Sequence, residues 1–276
     1  PPLVYTIVYT LRLVKTMKQY ALVIKQDQLS HQIASKIKTQ LDAIMEYDQE
    51  NPDLVISVGG DGTMLLSVHQ YLSKDVNFLG VHTGTLGFFT DFRKDEITKL
   101  VEAIKNDCYH LLPRNLLEVK VKHEKKEDVY FALNEMRIDY GYTTQVIDVY
   151  INDELLEVFR GNGLCVSTPA GSTAYNKSIG GAVIYPGTPL MQLTEVAGIQ
   201  HNAYRSLGSS LVLDASNMIK LIGHNFKQVY LGIDHLSYQI KDVDSIEIKI
   251  AKKTINFIEY EERSFVQRIR RAFING

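Results

Sequence analysis

Cysteine is scarce. Two residues, Cys108 and Cys165, in 276 are too few for a disulfide framework and lack the paired spacing of a zinc site, so a reducing cytoplasm is the expected setting. The eight histidines form no ligand-spaced pair. Long apolar runs are missing as well: none reaches the roughly 18 to 20 residues needed to span a bilayer, and Leu3 to Val14 is broken by Arg12 and threonines. Charge of one sign is also lacking. A net charge of -2 with acidic and basic residues interleaved gives no electrostatic footprint for nucleic acid or an anionic membrane. One basic cluster, Arg263, Arg268, Arg270 and Arg271, falls on an expected terminal helix and reads as a solvated or subunit-contacting face.

What is present is enough for a substantial core, since 45% of the residues are hydrophobic, and the length fits one large or two ordinary domains. Residues 1–16 look unlike the rest, because Met17 is followed at once by the strand-like Tyr20-Ala21-Leu22-Val23-Ile24. They are expected to be an extension without function. From residue 17 to 112 short apolar strands alternate with helical segments, as a parallel sheet with crossover helices requires. Leu29, Ile33, Ile37, Leu41 and Ile44 give one apolar stripe, and Ile97, Leu100, Val101 and Ile104 another. After Pro113 the period becomes two, as in Leu117, Val119, Val121 and Ile246, Ile248, Ile250, and Asn152-Asp153 reads as a hairpin turn. Helical spacing returns at Phe265, Val266, Ile269 and Phe273. The expected fold is therefore an α/β domain with a parallel, Rossmann-like sheet over 17–112, a β-rich domain over 113–259, and a terminal helix over 260–276 packing back on the first domain.

The strand Leu54 to Val58 runs directly into Gly59-Gly60-Asp61-Gly62-Thr63. Glycines there let a backbone turn off a buried strand and approach a phosphate, with one carboxylate beside it. On its own this turn also fits an ordinary strand-to-helix connection. A second glycine-rich stretch, His82 to Phe89, follows the next strand, and ligands of parallel sheets sit at such carboxyl ends. Phe88 and Phe89 are either core residues or rings that cover an adenine. In the β half, Asn134-Glu135 sets an amide beside a carboxylate, a suitable pair for the hydroxyls of a ribose. Ser167-Thr168-Pro169-Ala170-Gly171-Ser172-Thr173-Ala174-Tyr175-Asn176-Lys177-Ser178 buries little apolar area, and such segments let the backbone approach a ligand closely.

Together these residues make the chain similar to the bacterial NAD kinases from about Tyr20 to the terminal helix. The Gly-Gly-Asp-Gly turn is shared with lipid and 6-phosphofructo-kinases, whereas the Thr168 to Ser178 run is specific to this family. The resemblance implies transfer of the terminal phosphoryl group of ATP, or of polyphosphate, to the 2′-hydroxyl of the adenosine ribose of NAD, with the dinucleotide bound between the domains. It implies Asp61 as general base, Gly60 and Gly62 as turn residues at the ligand, and Asn134 and Glu135 as the ribose pair. Thr173, Ala174, Tyr175, Asn176, Lys177 and Ser178 form a strip along the dinucleotide, while Arg160, Asn162 and Ala197 belong to the nicotinamide end. Asp234 and His235 stand at the edge of the site without an assigned role. Asn162 replaces the family's usual Asp, which removes a negative charge but keeps an acceptor.

The resemblance also implies homodimers or homotetramers. Mg²⁺ is expected to arrive with ATP rather than in a protein cage. The alternatives are a lipid kinase, for which no greasy docking surface is visible, and a non-catalytic NAD-binding sensor, which would have no need of an intact Asp61.

Overall fold

The structure, a computed structural model, describes residues 17–84, 87–139, 143–224, 226, 229–259 and 264–274. The extension expected over 1–16, and Arg263 of the basic cluster, lie outside them. The first region runs β1 (Gln19–Ile24), α1 (Gln28–Leu41), β2 (Glu46–Tyr47), β3 (Leu54–Gly59), α2 (Asp61–Tyr71), β4 (Asn77–His82), β5 (Phe92–Arg93) and α3 (Ile97–Lys105). Strands β2, β1, β3 and β4 lie side by side and parallel. Every position of β3 is buried, which is why it reads as an unbroken apolar run rather than an alternation. Asp27 caps α1, its carboxylate accepting from Ser30 N at 2.8 Å. Ile33, Ile37 and Leu41 are buried as expected, but Leu29 and Ile44, the two ends of the stripe, are exposed.

The second region runs β6 (His110–His123), β7 (Lys126–Ala132), β8 (Glu135–Asp139), β9 (Gln145–Ile151), β10 (Glu154–Gly161), β11 (Gly163–Ser167), α4 (Tyr175–Ser178), β12 (Leu190–Val196), β13 (Leu211–Asp214), β14 (Met218–Gly223), β15 (Val229–Ile233), β16 (Leu236–Ile240), β17 (Ser245–Glu259) and α5 (Phe265–Ile269). Asn152 and Asp153 join β9 to β10 with φ of 52° and 68°, the left-handed pair that a two-residue hairpin turn requires. Six antiparallel strands, β13-β12-β11-β8-β15-β16, form one sheet; the others form an 11-stranded sheet. Side chains alternating inward from both sheets make a common core that includes Val119, Met136, Ile147, Val166, Leu231 and Ile248.

The larger sheet is continuous across the change of period. β17 pairs antiparallel with β6 and, at Asn256 and Phe257, parallel with β4. Pro113 sits inside β6 opposite Asn256, before β7 begins to pair at Leu117. No ladder donor is needed on that side, so the ring is tolerated.

At the carboxyl terminus the expected polarity is reversed. Val266 and Phe273 are exposed, while Arg268, read as part of a solvated basic face, is 8% exposed. Its guanidinium donates to Asp91 at 2.5 Å, Glu259 at 2.8 Å and the Phe88 carbonyl at 3.2 Å. Two carboxylates and a carbonyl satisfy its donors, which makes burial of the charge possible. Among the described residues, no helix is long and apolar enough to cross a membrane.

Candidate active site

Asp61 opens α2 straight from the buried strand β3, with Gly60 as N-cap and no side-chain cap on the helix. A carboxylate in the first turn suits the positive end of the helix. Both of its oxygens accept main-chain hydrogen bonds: Oδ2 from Phe88 N at 2.9 Å and Oδ1 from Phe89 N at 3.0 Å. The second glycine-rich stretch thus clasps the carboxylate of the first. A Cβ on Gly87 would collide with that carboxylate. The Phe89 ring is core, stacked on Phe257 at 5.5 Å, and the half-buried Phe88 ring lies 5.6 Å from Phe273.

The glycines before and after Asp61 differ in what they serve. None needs the left-handed region; Gly60 has φ −120°. A Cβ on Gly59 would strike Thr63, whereas at Gly60 and Gly62 it would meet nothing within 4 Å. The chain itself has room for a side chain at those two positions, and that open space at a helix N-terminus is where an anion is best stabilised.

Asn134 lies between β7 and β8 and Glu135 opens β8, and a third carboxylate shapes them. Asp234, in the two-residue connection from β15 to β16 with φ 51°, is buried and accepts from Leu133 N at 2.9 Å, Asn134 N at 2.7 Å and Glu135 N at 3.1 Å. Its Oδ2 also lies 2.8 Å from His69 Nε2. His235, next to it, is exposed, and its ring sits edge-on to His69 at 5.3 Å. With the main chain held this way, Asn134 Oδ1 and Glu135 Oε2 are buried without a hydrogen-bond partner among the described residues.

Burial above all, and then the Asp234 charge, push the Glu135 carboxyl up to about 8 against the pull of Arg137. It therefore holds a proton at neutral pH. Between its ordinary value of 4.5 and about 8, the folded chain keeps a proton that the unfolded chain releases, so stability falls as pH rises through that window. The melting temperature is expected to decline from about pH 5 to about pH 8.5, and Glu135→Gln to flatten the decline. A Glu135→Gln melting series with the wild-type slope would contradict this.

The Thr168 to Ser178 run is not an open loop. It forms a 3-10 turn at Gly171–Thr173 followed by α4, and Ser167, Thr168, Ser172 and Asn176 are buried. Thr168 Oγ1 donates to the Leu133 carbonyl at 2.6 Å, and Thr168 N donates to the Asn134 carbonyl at 2.8 Å. A Cβ on Gly171 would overlap the Asn134 main chain, so glycine is what lets the run lie against Asn134. Asn176 Oδ1 accepts from Thr194 at 2.7 Å. Thr173 and Ser178 hydroxyls bond to carbonyls within the run, at Ala170 and Tyr175, and Ala174 N donates to the Gly171 carbonyl. The Tyr175 ring faces the Arg137 guanidinium at 5.1 Å, which in turn lies 3.7 Å from Glu135 Oε1. Lys177 is exposed and stands over the Phe273 ring at 4.2 Å.

Arg160, Asn162 and Ala197 form a separate group. Ile199 N donates to the Arg160 carbonyl at 2.7 Å and Asn162 N to the Val196 carbonyl at 3.0 Å, while the Arg160 guanidinium covers the Tyr204 ring at 4.3 Å. Ala197 takes φ 48°. Among the described residues this group shares no hydrogen bond with Asp61, Asn134 or Glu135.

Arg137 and His69 escaped the sequence reading, and the buried contacts of Arg268 were not foreseen. Arg137 was within reach, since it stands two residues after Glu135 on the same strand face. His69 and Arg268 were not, because their partners lie 165 and 177 positions away.

Comparison with known proteins agrees with these features. Residues 4–109 match the family model of the ATP-NAD kinase N-terminal domain and residues 133–260 that of the C-terminal domain. The first match begins inside the segment read as an extension. An NAD kinase of Geobacillus stearothermophilus is 43% identical over 260 residues, covering 92% of this chain and 96% of that one. The crystal structure of yeast NADH kinase complexed with NADH shares the fold with a TM-score of 0.83 at 21% identity, over 95% of this chain and 90% of that one. An NAD kinase from Archaeoglobus fulgidus in complex with ATP gives a TM-score of 0.74 at 23% identity, over 92% and 99%. The chain belongs to the NAD kinase family.

Proposed function

We propose that this protein transfers the terminal phosphoryl group of ATP, or of polyphosphate, to the 2′-hydroxyl of the adenosine ribose of NAD, giving NADP. The observation that carries this reading is the pair of buried, unpartnered oxygen atoms on Asn134 and Glu135, held beside the small-residue run. Buried polar atoms without partners cost stability; a ribose diol would satisfy both. Glu135, carrying its proton, donates to one hydroxyl oxygen, and Asn134 accepts from a hydroxyl.

In the reaction the 2′-oxygen attacks the terminal phosphorus, the bond from that phosphorus to the bridging oxygen breaks, and its electron pair leaves with ADP. Asp61 takes the hydroxyl proton. Phosphoryl transfer asks mainly for positioning and charge neutralisation, which the open glycine turn supplies through main-chain N–H groups. Mg²⁺ is carried by the triphosphate. That fits the donor set, because no group of three His, Cys, Asp or Glu is placed to hold a metal among the described residues.

The strip from Thr173 to Ser178, with Tyr175 stacked along it, contacts the dinucleotide, and Arg160, Asn162 and Ala197 serve its nicotinamide end. Their distance in bonding from the ribose pair suits opposite ends of a long ligand. Residues 17–112 with the terminal helix act as the donor half and 113–259 as the dinucleotide half. The enzyme is read as a cytoplasmic homodimer or homotetramer. A lipid kinase would have no use for the Thr168 to Ser178 packing.

Purified protein given NAD, ATP and Mg²⁺ is expected to form NADP, detected with an NADP-specific dehydrogenase. Binding of NAD without turnover would instead establish a sensor. Gly62→Ala separates ligand approach from folding: the melting temperature stays equal or rises, helix propensity favouring Ala by up to about 1 kcal/mol, while NADP formation falls. Full activity in that variant would remove Gly62 from the site.

A further inference from the structure

The helix that carries Asp61 also carries His69, two turns further on. Met64, Leu65, Val68 and Tyr71 of α2 lie in one apolar cluster with Leu133, so the helix and the segment that leads into Asn134 share one core. Beside that cluster the His69 ring, its side chain 15% exposed, bonds to the fully buried Asp234 carboxylate at 2.8 Å. A carboxylate can only accept here, so His69 Nε2 is the donor. Asp234 then holds four donors: His69 and Leu133 N on Oδ2, Asn134 N and Glu135 N on Oδ1.

We infer that His69 is a positioning residue for acceptor recognition, setting the orientation of Asn134 and Glu135 relative to Asp61 through the Asp234 carboxylate. The role presupposes the reaction proposed above. Without the imidazole donor, the carboxylate plane is fixed only by the three amides of the segment it anchors, and the hydrogen-bonded link between α2 and that segment is lost. A shell of supporting hydrogen bonds of this kind is what keeps recognition groups within the narrow tolerance that binding demands.

Two variants isolate the donor from the ring. His69→Phe keeps a ring and removes the donor; His69→Gln removes the ring and keeps an N–H at a similar reach. The KM for NAD is expected to rise on the order of 10-fold in His69→Phe, with the KM for ATP unchanged, and to stay within about threefold of wild type in His69→Gln. Amide hydrogen exchange in peptides covering Leu133 to Glu135 should quicken in His69→Phe alone. Where phenylalanine disturbs α2, His69→Leu serves as the second donor-less variant.

The inference is overturned if the donor-less variant keeps the wild-type KM for NAD, if the KM values for NAD and ATP rise together, or if glutamine is as damaging as phenylalanine. Should the wild type form no NADP, the proposed function fails while the exchange measurement still decides the positioning: faster exchange without the donor upholds it, and equal exchange ends it.

Discussion

Asp61→Asn should lower turnover by about 10²- to 10⁴-fold, the contribution usual for a positioned general base, and kcat should carry most of the loss. The substitution has a second, smaller effect that the clasp around this residue dictates. Asparagine keeps one acceptor oxygen, but its amide nitrogen must face the N–H of Phe88 or Phe89, two groups that now donate to the carboxylate at 2.9 and 3.0 Å. Leaving one partly buried N–H without an acceptor costs roughly 1–3 kcal/mol, so a lower melting temperature with a cooperative transition is expected beside the kinetic loss. Steady-state NADP formation and a thermal melt on the same preparation check both. Near-wild-type turnover in a folded Asp61→Asn protein would take proton abstraction away from this side chain.

Asp234→Ala is expected to be among the most damaging substitutions outside the catalytic group. It strips the acceptor from three main-chain N–H groups at Leu133, Asn134 and Glu135, all at buried residues. At roughly 1–3 kcal/mol for each orphaned group, the total reaches a large share of the 5–15 kcal/mol that typically holds a domain together. Urea titration should show the midpoint collapse, or no folded baseline at all. Water cannot fill in readily, because Ala132, Leu133 and Met136 around the site are fully buried. A midpoint close to that of the wild type would mean that the three amides find other acceptors.

What was legible in the sequence follows from what each signal depends on. The β3-turn-α2 unit, the α1 stripe and the Asn152-Asp153 hairpin are local: periodicity and turn chemistry within a few residues decide them. Asp61 and the Asn134-Glu135 pair stood out because small or polar residues interrupt apolar strands. The reason those residues are held in place did not stand out, since it lies in contacts across the fold. Asp234 had no assigned role, and its carboxylate accepts from the main chain at Leu133, Asn134 and Glu135. Arg268 looked solvated because its helix carries several charges, yet Asp91, 177 positions away, together with Glu259 makes its burial possible. The turn and short helix of the Thr168 to Ser178 run were not legible, because hydroxyl side chains that bond to nearby carbonyls leave no periodic pattern.

β17 bears on how the chain must be made. It supplies the neighbour of β4 at Asn77 and Phe78, although the partners Asn256 and Phe257 come 179 positions later in the sequence. During vectorial synthesis, the sheet of β1 to β4 therefore leaves the ribosome with that rim bare, and it is sealed only once β17 has emerged. An unpaired rim of this kind invites association between nascent copies, so this architecture places its greatest hazard late in biogenesis.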